Sequence, residues 1–391
     1  MENLEQHLSE NLSIISRHET QSSNSVREYS DPIPGDILID IFSRVPGKSV
    51  ARFRCVSKFW ASLLRRPDFT ELFLTKSLAR PRLFFNVRVN GKSLFYSSPQ
   101  PQNPDENSCL VATRYNTPYP EYFPYDMFCN SSICGLVLLC GWSRMNVWVI
   151  CNPATGEFLT LPKVKIQNKH EKLSQMYLGY DPIGKQFKVL CMTSSGGDDE
   201  RPNTHQVLTS KSGKRFWRRI EQRFRLYDRM DGEVCINGVL YFGGARFGQP
   251  SVVCFDVRSE KFSFINTNEE MGEELGIFAW TLFNYKGKVG IHDWNGNDHH
   301  LVCWVLEDAV NHKWSKHKHV LPDVVNENMM FVGMTSTGDI MWSLYNVVPS
   351  NLYIYSMERK TITSLNIQGE EFKDDYIGQI FVDYVENMKF I

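Results

Sequence analysis

The sequence predicts a short helical module followed by a large all-β domain, an α+β arrangement by segments whose β part reads as a six-bladed propeller. Three observations lead there. Helical apolar periodicity is confined to the stretch up to residue 78. Near Arg80 it gives way to short apolar and aromatic runs punctuated by Gly, Asn, Asp and Pro, which is strand and turn chemistry. Comparable strands then recur about every fifty residues, the period of a four-stranded blade. A two-sheet β-sandwich with extra strands is the alternative.

Residues 1–30 are polar and Ser-rich, with Gln21-Ser22-Ser23-Asn24-Ser25 at their centre. They carry too little apolar surface to offset chain entropy and are expected to form a disordered tail. The helical module is expected over 31–78. Pro34 suits a helix opening, because its fixed φ and missing donor cost nothing in the first turn. At about 100° per residue, Ile37, Leu38, Ile41, Phe42 and Val45 fall on one arc and Ile39 lies off it, until Pro46-Gly47 ends the helix. A second short helix should follow Ser49. A third should open at Ser57, a good N-cap, and carry Phe59, Trp60, Leu63 and Leu64 until Pro67 stops it. A further turn around Phe69, Leu72 and Phe73 leads out.

The β-rich domain is expected over 79–391. Its apolar runs pair as 135–139 with 147–151, 177–192 with 206–220, 234–244 with 252–265, 282–294 with 301–314, and 329–345 with 352–365. Several pairs share a phrase in which an apolar strand meets a polar turn, as in Cys151-Asn152-Pro153-Ala154-Thr155-Gly156 and Phe255-Asp256-Val257-Arg258-Ser259-Glu260. A last blade should combine 377–385 with the early strands 83–89 and 94–96, closing the ring without an exposed edge.

Acidic and basic residues nearly cancel, 44 against 43, so no global field draws the chain to nucleic acid or a membrane. No run approaches the roughly eighteen apolar residues of a membrane helix, and the first residues lack a leader's basic start and apolar segment. Ten cysteines are scattered, several within apolar runs, as reduced core thiols of an intracellular protein, cytoplasmic or nuclear, would be.

Catalytic constellations are missing. His299, His300, His312, His317 and His319 lie near Asp298, Cys303 and Asp308, but no C-x-x-C or H-E-x-x-H spacing accompanies them. No nucleophile-elbow, P-loop or dinucleotide fingerprint occurs, so neither a cofactor nor a metal is expected. Lys211, Lys214, Arg215, Arg218, Arg219, Arg223 and Arg225 interleave with Phe216, Trp217 and Phe224. A strand pair with buried aromatics and solvated cations accounts for that pattern, with Trp217 structural, although the cations also suit an acidic patch on a protein substrate. Loops offer a second recognition candidate. Tyr119 and Tyr122 in the Pro- and Tyr-rich stretch 103–126, together with Arg246 and Phe247, have the composition of binding hot spots.

The stretch Arg52-Phe53-Arg54-Cys55-Val56-Ser57-Lys58-Phe59-Trp60, preceded by Ile33-Pro34-Gly35-Asp36-Ile37-Leu38, resembles the F-box, in the form found in plant F-box proteins with an associated interaction domain. Downstream, Leu178-Gly179-Tyr180-Asp181-Pro182, Trp217-Arg218-Arg219-Ile220 and Cys235-Ile236-Asn237-Gly238-Val239-Leu240-Tyr241 are similar to that associated domain. Departures are small: Ile33-Pro34 stands for the usual Leu-Pro, Asp40 for a glutamate, and Gly47 for a larger residue. Gly243-Gly244 resembles the double glycine of kelch repeats, without recurring in other units. The resemblance implies a non-catalytic adaptor of a ubiquitin ligase. Its F-box would dock on a Skp-type adaptor, and through it a cullin, by Ile33, Pro34, Ile37, Leu38, Ile41, Val56 and Trp60, while the β-domain binds a protein substrate. The contrasting reading is a propeller enzyme or lectin with an incidental helical start.

Some forty residues of short helices bury only a marginal core, so a partner surface or the β-domain must complete it. The change of pattern near Arg80 suggests that each unit owns its core and that the β-domain stays folded without residues 31–66.

Overall fold

The computed structural model describes residues 33–389 apart from 90–91, 103–107, 116–126, 142–146, 167–170, 196–202, 212–213, 225–226, 247–248, 275–279, 293, 295–299, 327, 345–350 and 369–375. The expected tail at 1–30 lies outside the described residues.

Two kinds of turn, repeated along the chain, build the β-domain. Cys134-Gly135, Asn237-Gly238 and Lys286-Gly287 each place two consecutive residues at positive φ, between 46° and 85°. That is the two-residue hairpin turn whose twist matches the flanking strands, and glycine at its second position removes the Cβ penalty. The second kind is the polar phrase read from the sequence. Asn152, Asp256 and Asp308 accept hydrogen bonds from backbone N–H groups two or three residues on, at 2.6–3.4 Å. The turn then ends on a left-handed residue, Gly156, Glu260 or His312, with Lys360 at the same place in the last hairpin.

These turns link antiparallel strands into six sheets. The second blade comprises β5 (Met127–Ile133), β6 (Leu136–Gly141), β7 (Trp148–Asn152) and β8 (Glu157–Thr160). The third comprises β9 (Glu171–Asp181), β10 (Gln186–Ser195), β11 (Gln206–Lys211) and β12 (Lys214–Arg219), and the fourth β13 (Tyr227–Ile236), β14 (Val239–Arg246), β15 (Gln249–Asp256) and β16 (Lys261–Asn266). The fifth holds β17 (Thr281–Tyr285), β18 (Lys288–His292), β19 (His300–Asp308) and β20 (Lys313–Val320). The sixth holds β21 (Met329–Met334), β22 (Ile340–Leu344), β23 (Asn351–Ser356) and β24 (Thr361–Gln368), extended by β3 (Cys109–Val111) in parallel.

The first blade closes the ring: β25 (Tyr376–Tyr384) pairs with β1 (Arg82–Val89), followed by β2 (Lys92–Pro99) and β4 (Thr113–Arg114). Chain end and domain start therefore share one sheet, as expected, and the sandwich alternative is set aside. The roughly fifty-residue recurrence corresponds to the third strands β7, β11, β15, β19 and β23.

Side chains alternate between two inter-blade cores, so strands buried on both faces read as continuous apolar runs. Phe84 and Phe85 of β1 enter different clusters, and so do Leu136 and Val137 of β6. Among the described residues, six such clusters lie between neighbouring blades. Trp217 joins the one between the second and third blades and donates its indole N–H to the Pro162 carbonyl at 2.7 Å, the structural place expected for it. Its neighbour Phe216 is exposed.

The helices are α1 (Gly35–Phe42), α2 (Gly47–Phe53), α3 (Lys58–Leu63) and α4 (Pro67–Leu78), with a short α5 (Glu269–Glu274) in the propeller. Ser57 caps α3, its Oγ accepting from Trp60 N–H at 3.1 Å. α3 stops before Pro67, as expected, and Pro67 also opens the twelve-residue α4 where a further turn around Phe69, Leu72 and Phe73 was expected, since proline fits the first helical position as well as it blocks the interior.

The expectation that each unit owns its core is corrected. One cluster joins Leu38, Phe42, Val50, Trp60, Leu63, Leu64, Phe69 and Phe73 of the helices to Phe84, Val137, Val149 and Tyr384 of the first two blades. The helical module seals the seam between those blades, so deleting residues 31–66 would uncover propeller core.

Candidate functional site

Chain segment 385–389, just after β25, fastens the helices to the propeller. Glu386 Oε2 accepts from Gly47 N–H at 2.8 Å and its Oε1 from the Tyr115 hydroxyl at 2.9 Å. Burial, followed by the nearby Glu386 charge, pushes the Tyr115 hydroxyl well above its usual range, so it stays a neutral donor. Tyr115 thus packs inside rather than offering a recognition surface. Asn387 donates to the Cys134 carbonyl at 2.9 Å, and Asn152 donates to the Asn387 and Lys389 carbonyls at 3.0 Å. From the helical side, Arg54 Nη2 donates to the Met388 carbonyl at 3.1 Å, and the Met388 side chain is fully buried in the shared cluster. Space is short at both glycines: a Cβ on Gly135 would lie 2.7 Å from Val385 O, and one on Gly47 would lie 3.0 Å from Met388 Cε, close enough that the methionine tip would have to shift. Lys185 adds an ion pair to Glu71 of α4 at 2.7 Å.

With the inner face fastened, the outer face of the module remains apolar and open. Ile37 and Ile41, one turn apart on α1, are 48% and 38% exposed, and Ile33, Pro34 and Val56 are exposed beside them in sequence or in the turn before α3. Leu38 and Trp60 are corrected: at 4% and 8% exposure their side chains belong to the core, where Trp60 packs edge-on against Phe42 and Phe53. Ile39, placed off the inward arc by periodicity, packs against the shared cluster instead. Phe59, read as core, is 58% exposed. At about 100° per residue Phe59 lies beside Leu63 at the edge of the arc of Trp60, Leu63 and Leu64, so periodicity alone did not separate it from the core. Asp40 lies on the same helix and is held below the usual carboxylate range, first by its hydrogen bond to Lys76 at 2.5 Å and then by Arg44.

Of the loop candidates, Tyr119, Tyr122 and Phe247 lie outside the described residues, and for Arg246 only the backbone, at the end of β14, is described. Among the described residues no group of three or more His, Cys, Asp or Glu side chains could hold a metal ion, and His317 and His319 simply stack at 6.4 Å. The described cysteines are free, and burial pushes the thiols of Cys191 and Cys303 up to about 12. No described helix is long and apolar enough to cross a membrane.

Four short helices bolted across a blade seam, with an apolar outer face, joined to a six-bladed propeller, define a protein of two fused modules. Both modules match known families: the F-box domain over residues 32–72 and the F-box associated beta propeller domain over residues 82–385. This chain belongs to the F-box proteins that carry that propeller.

Its relatives in Arabidopsis thaliana include a putative F-box protein 46% identical over 402 residues, covering all of both chains. An F-box protein 42% identical covers 91% of this chain and 81% of its own length, and the F-box protein DOR, 41% identical, covers 93% and 95%. Among solved structures, one from a nidogen/laminin complex covers 77% of this chain and 98% of its own, at 12% identity and a TM-score of 0.43.

Proposed function

We propose that this protein is the substrate-recognition subunit of a Skp–cullin–F-box ubiquitin ligase, non-catalytic itself and acting inside the cell. The observation that carries the reading is the pairing of an F-box with an exposed apolar outer face among the described residues, beside an inner face packed on the propeller. A Skp-type adaptor would cover Ile33, Pro34, Ile37, Ile41, Val56 and Phe59, and link the chain to a cullin. Docked at that face, the propeller is held in one orientation by the segment 385–389, which suits presenting a substrate to a distant ubiquitin-charged enzyme. Substrate contact by Tyr119, Tyr122, Arg246 and Phe247 belongs to the same reading.

The test is the double variant Ile37→Asp, Ile41→Asp, scored by co-purification with a Skp-type adaptor. Buried hot-spot contacts of this kind cost about 2 kcal/mol or more, roughly thirtyfold in affinity. Binding should be lost while the melting temperature holds. Retained adaptor binding in a folded double variant overturns the reading.

A further inference from the structure

Among the described residues, the middle strands of the third blade part over a longer stretch than those of the other blades. Strand β10 pairs with β9 along its length, from Gln186↔Asp181 to Ser195↔Glu171, and β11 pairs with β12 from Gln206↔Arg219 to Lys211↔Lys214. Between β10 and β11 the described ladder comprises only Leu190↔Val207 and Cys191↔Gln206. Beyond that point the two middle strands part, and Val189, Lys188, Leu208 and Thr209 line the opening. In the fourth blade the corresponding strands pair over eight residues, from Val239↔Asp256 to Arg246↔Gln249. In the fifth, a shorter divergence is crossed by an ion pair between Lys288 and Glu307.

The split opens into a cleft of about 520 Å³, within the usual range for ligand sites. Leu136, Ile150 and Leu159 of the second blade and Phe187, Val189 and Leu208 of the third give it apolar walls. Lys185, Lys188, Arg215, Arg218 and Lys389 surround it, against Glu260 as the one lining carboxylate among the described residues. Glu260 is already engaged by Lys188 at 2.8 Å and by Arg218, which hold it below the usual carboxylate range despite its burial. Glu71 pairs with Lys185 from outside the cleft. A net positive charge remains, with Arg215 and Lys389 at the rim.

Two parted strand edges, an apolar wall and a cationic rim suit one kind of occupant. A strand satisfies unpaired backbone edges by adding its own, and its side chains alternate between two faces. We propose that the cleft in the third blade binds an extended acidic segment of a protein, in which apolar side chains alternate with carboxylates. The backbone runs along the parted edges of β10 and β11, apolar side chains meet Leu136 and Ile150, and carboxylates meet Arg215 and Lys389. This names the class of substrate segment under the ligase reading and rests on it for its biological role.

The experiment uses the full chain co-purified with a Skp-type adaptor, and fluorescently labelled octapeptides that alternate glutamate with valine, leucine or phenylalanine. Fluorescence anisotropy should report binding that weakens as ionic strength rises. The Arg215→Glu, Lys389→Glu double variant should reduce affinity by about tenfold or more, because charge reversal makes the rim repel the probe. N-methylation of the peptide at alternate residues should abolish binding, since it removes the backbone donors. Three results overturn the proposal: equal binding of matched octapeptides carrying lysine for glutamate, binding unchanged in the double variant, or displacement of the probe by free glutamate or inorganic phosphate alone. Adaptor co-purification is scored on the same samples. Its loss with peptide binding intact counts against the ligase reading only, and the converse counts against the cleft only.

Discussion

Ile37 and Leu38 are consecutive residues of one helix, yet they belong to two regions with opposite fates. Leu38, with Phe42, Val50 and Trp60, faces a core that continues into two propeller blades. Ile37, with Ile41, Val56 and Phe59, faces outward. Composition does not separate them, because both faces are apolar. What separates them is the segment 385–389, which follows β25 of the first blade and takes up Gly47, Arg54 and Tyr115. A module too small to hold its own core is completed on one side within the chain, and the other side stays free for a partner.

The largest effect expected from breaking this contrast is at Phe42, which is buried and packs against Phe53 and Trp60. Phe42→Ala should cost about 3–5 kcal/mol of stability, whereas Phe59→Ala on the outer face should shift melting by less than about 0.5 kcal/mol. Chemical denaturation of the two variants measures the difference. Comparable losses would mean that the faces are not distinct.

Glu386→Ala sharpens the contrast from the propeller side. It leaves the Gly47 N–H and the Tyr115 hydroxyl without their acceptor and should cost about 1–3 kcal/mol, with adaptor binding retained by the folded fraction. Glu386→Gln, which keeps an acceptor oxygen, should cost less. Equal losses in both variants would show that charge rather than hydrogen bonding holds the segment.

The smallest effect expected at physiological pH separates the modules by titration. Burial lowers His292 to about 3 and His205 to about 4, both in the propeller, while residues 33–78 contain no histidine. Both rings are neutral in the folded state and become charged in the unfolded chain below about pH 6.5. Their contribution is therefore present above pH 6.5 and lost as pH falls toward 4 for His205 and toward 3 for His292. Each should remove up to roughly 1.4 kcal/mol per pH unit across that window. Unfolding midpoints of His292→Phe, followed from pH 7 to pH 5, should fall less steeply than those of the parent. Identical slopes would rule out His292 as a source of acid sensitivity.

Much of the architecture was legible because it rests on local chemistry. Ser57 as a cap, the Asn- and Asp-led turns, the paired positive-φ residues ending in glycine, and the recurrence of β7, β11, β15, β19 and β23 depend on residues close in sequence. The stop before Pro67 was legible too, whereas the twelve-residue length of α4 behind it was not, because packing against the rest of the chain extends the single turn expected around Phe69, Leu72 and Phe73.

The candidate site was half legible. An F-box motif and a wide apolar arc on α1 can be read from the sequence, and they determine that the module needs apolar partners on more than one side. Periodicity measures the width of that arc but not which part of it the chain itself covers. That was decided by contacts such as Glu386 to Gly47, 339 residues apart, which turned Leu38 and Phe42 inward and left Ile37 and Ile41 outside. The parted strands of the third blade are likewise a tertiary outcome. Alternation sets which side chains face which blade, while the twist and packing of neighbouring sheets determine where two strands stop pairing.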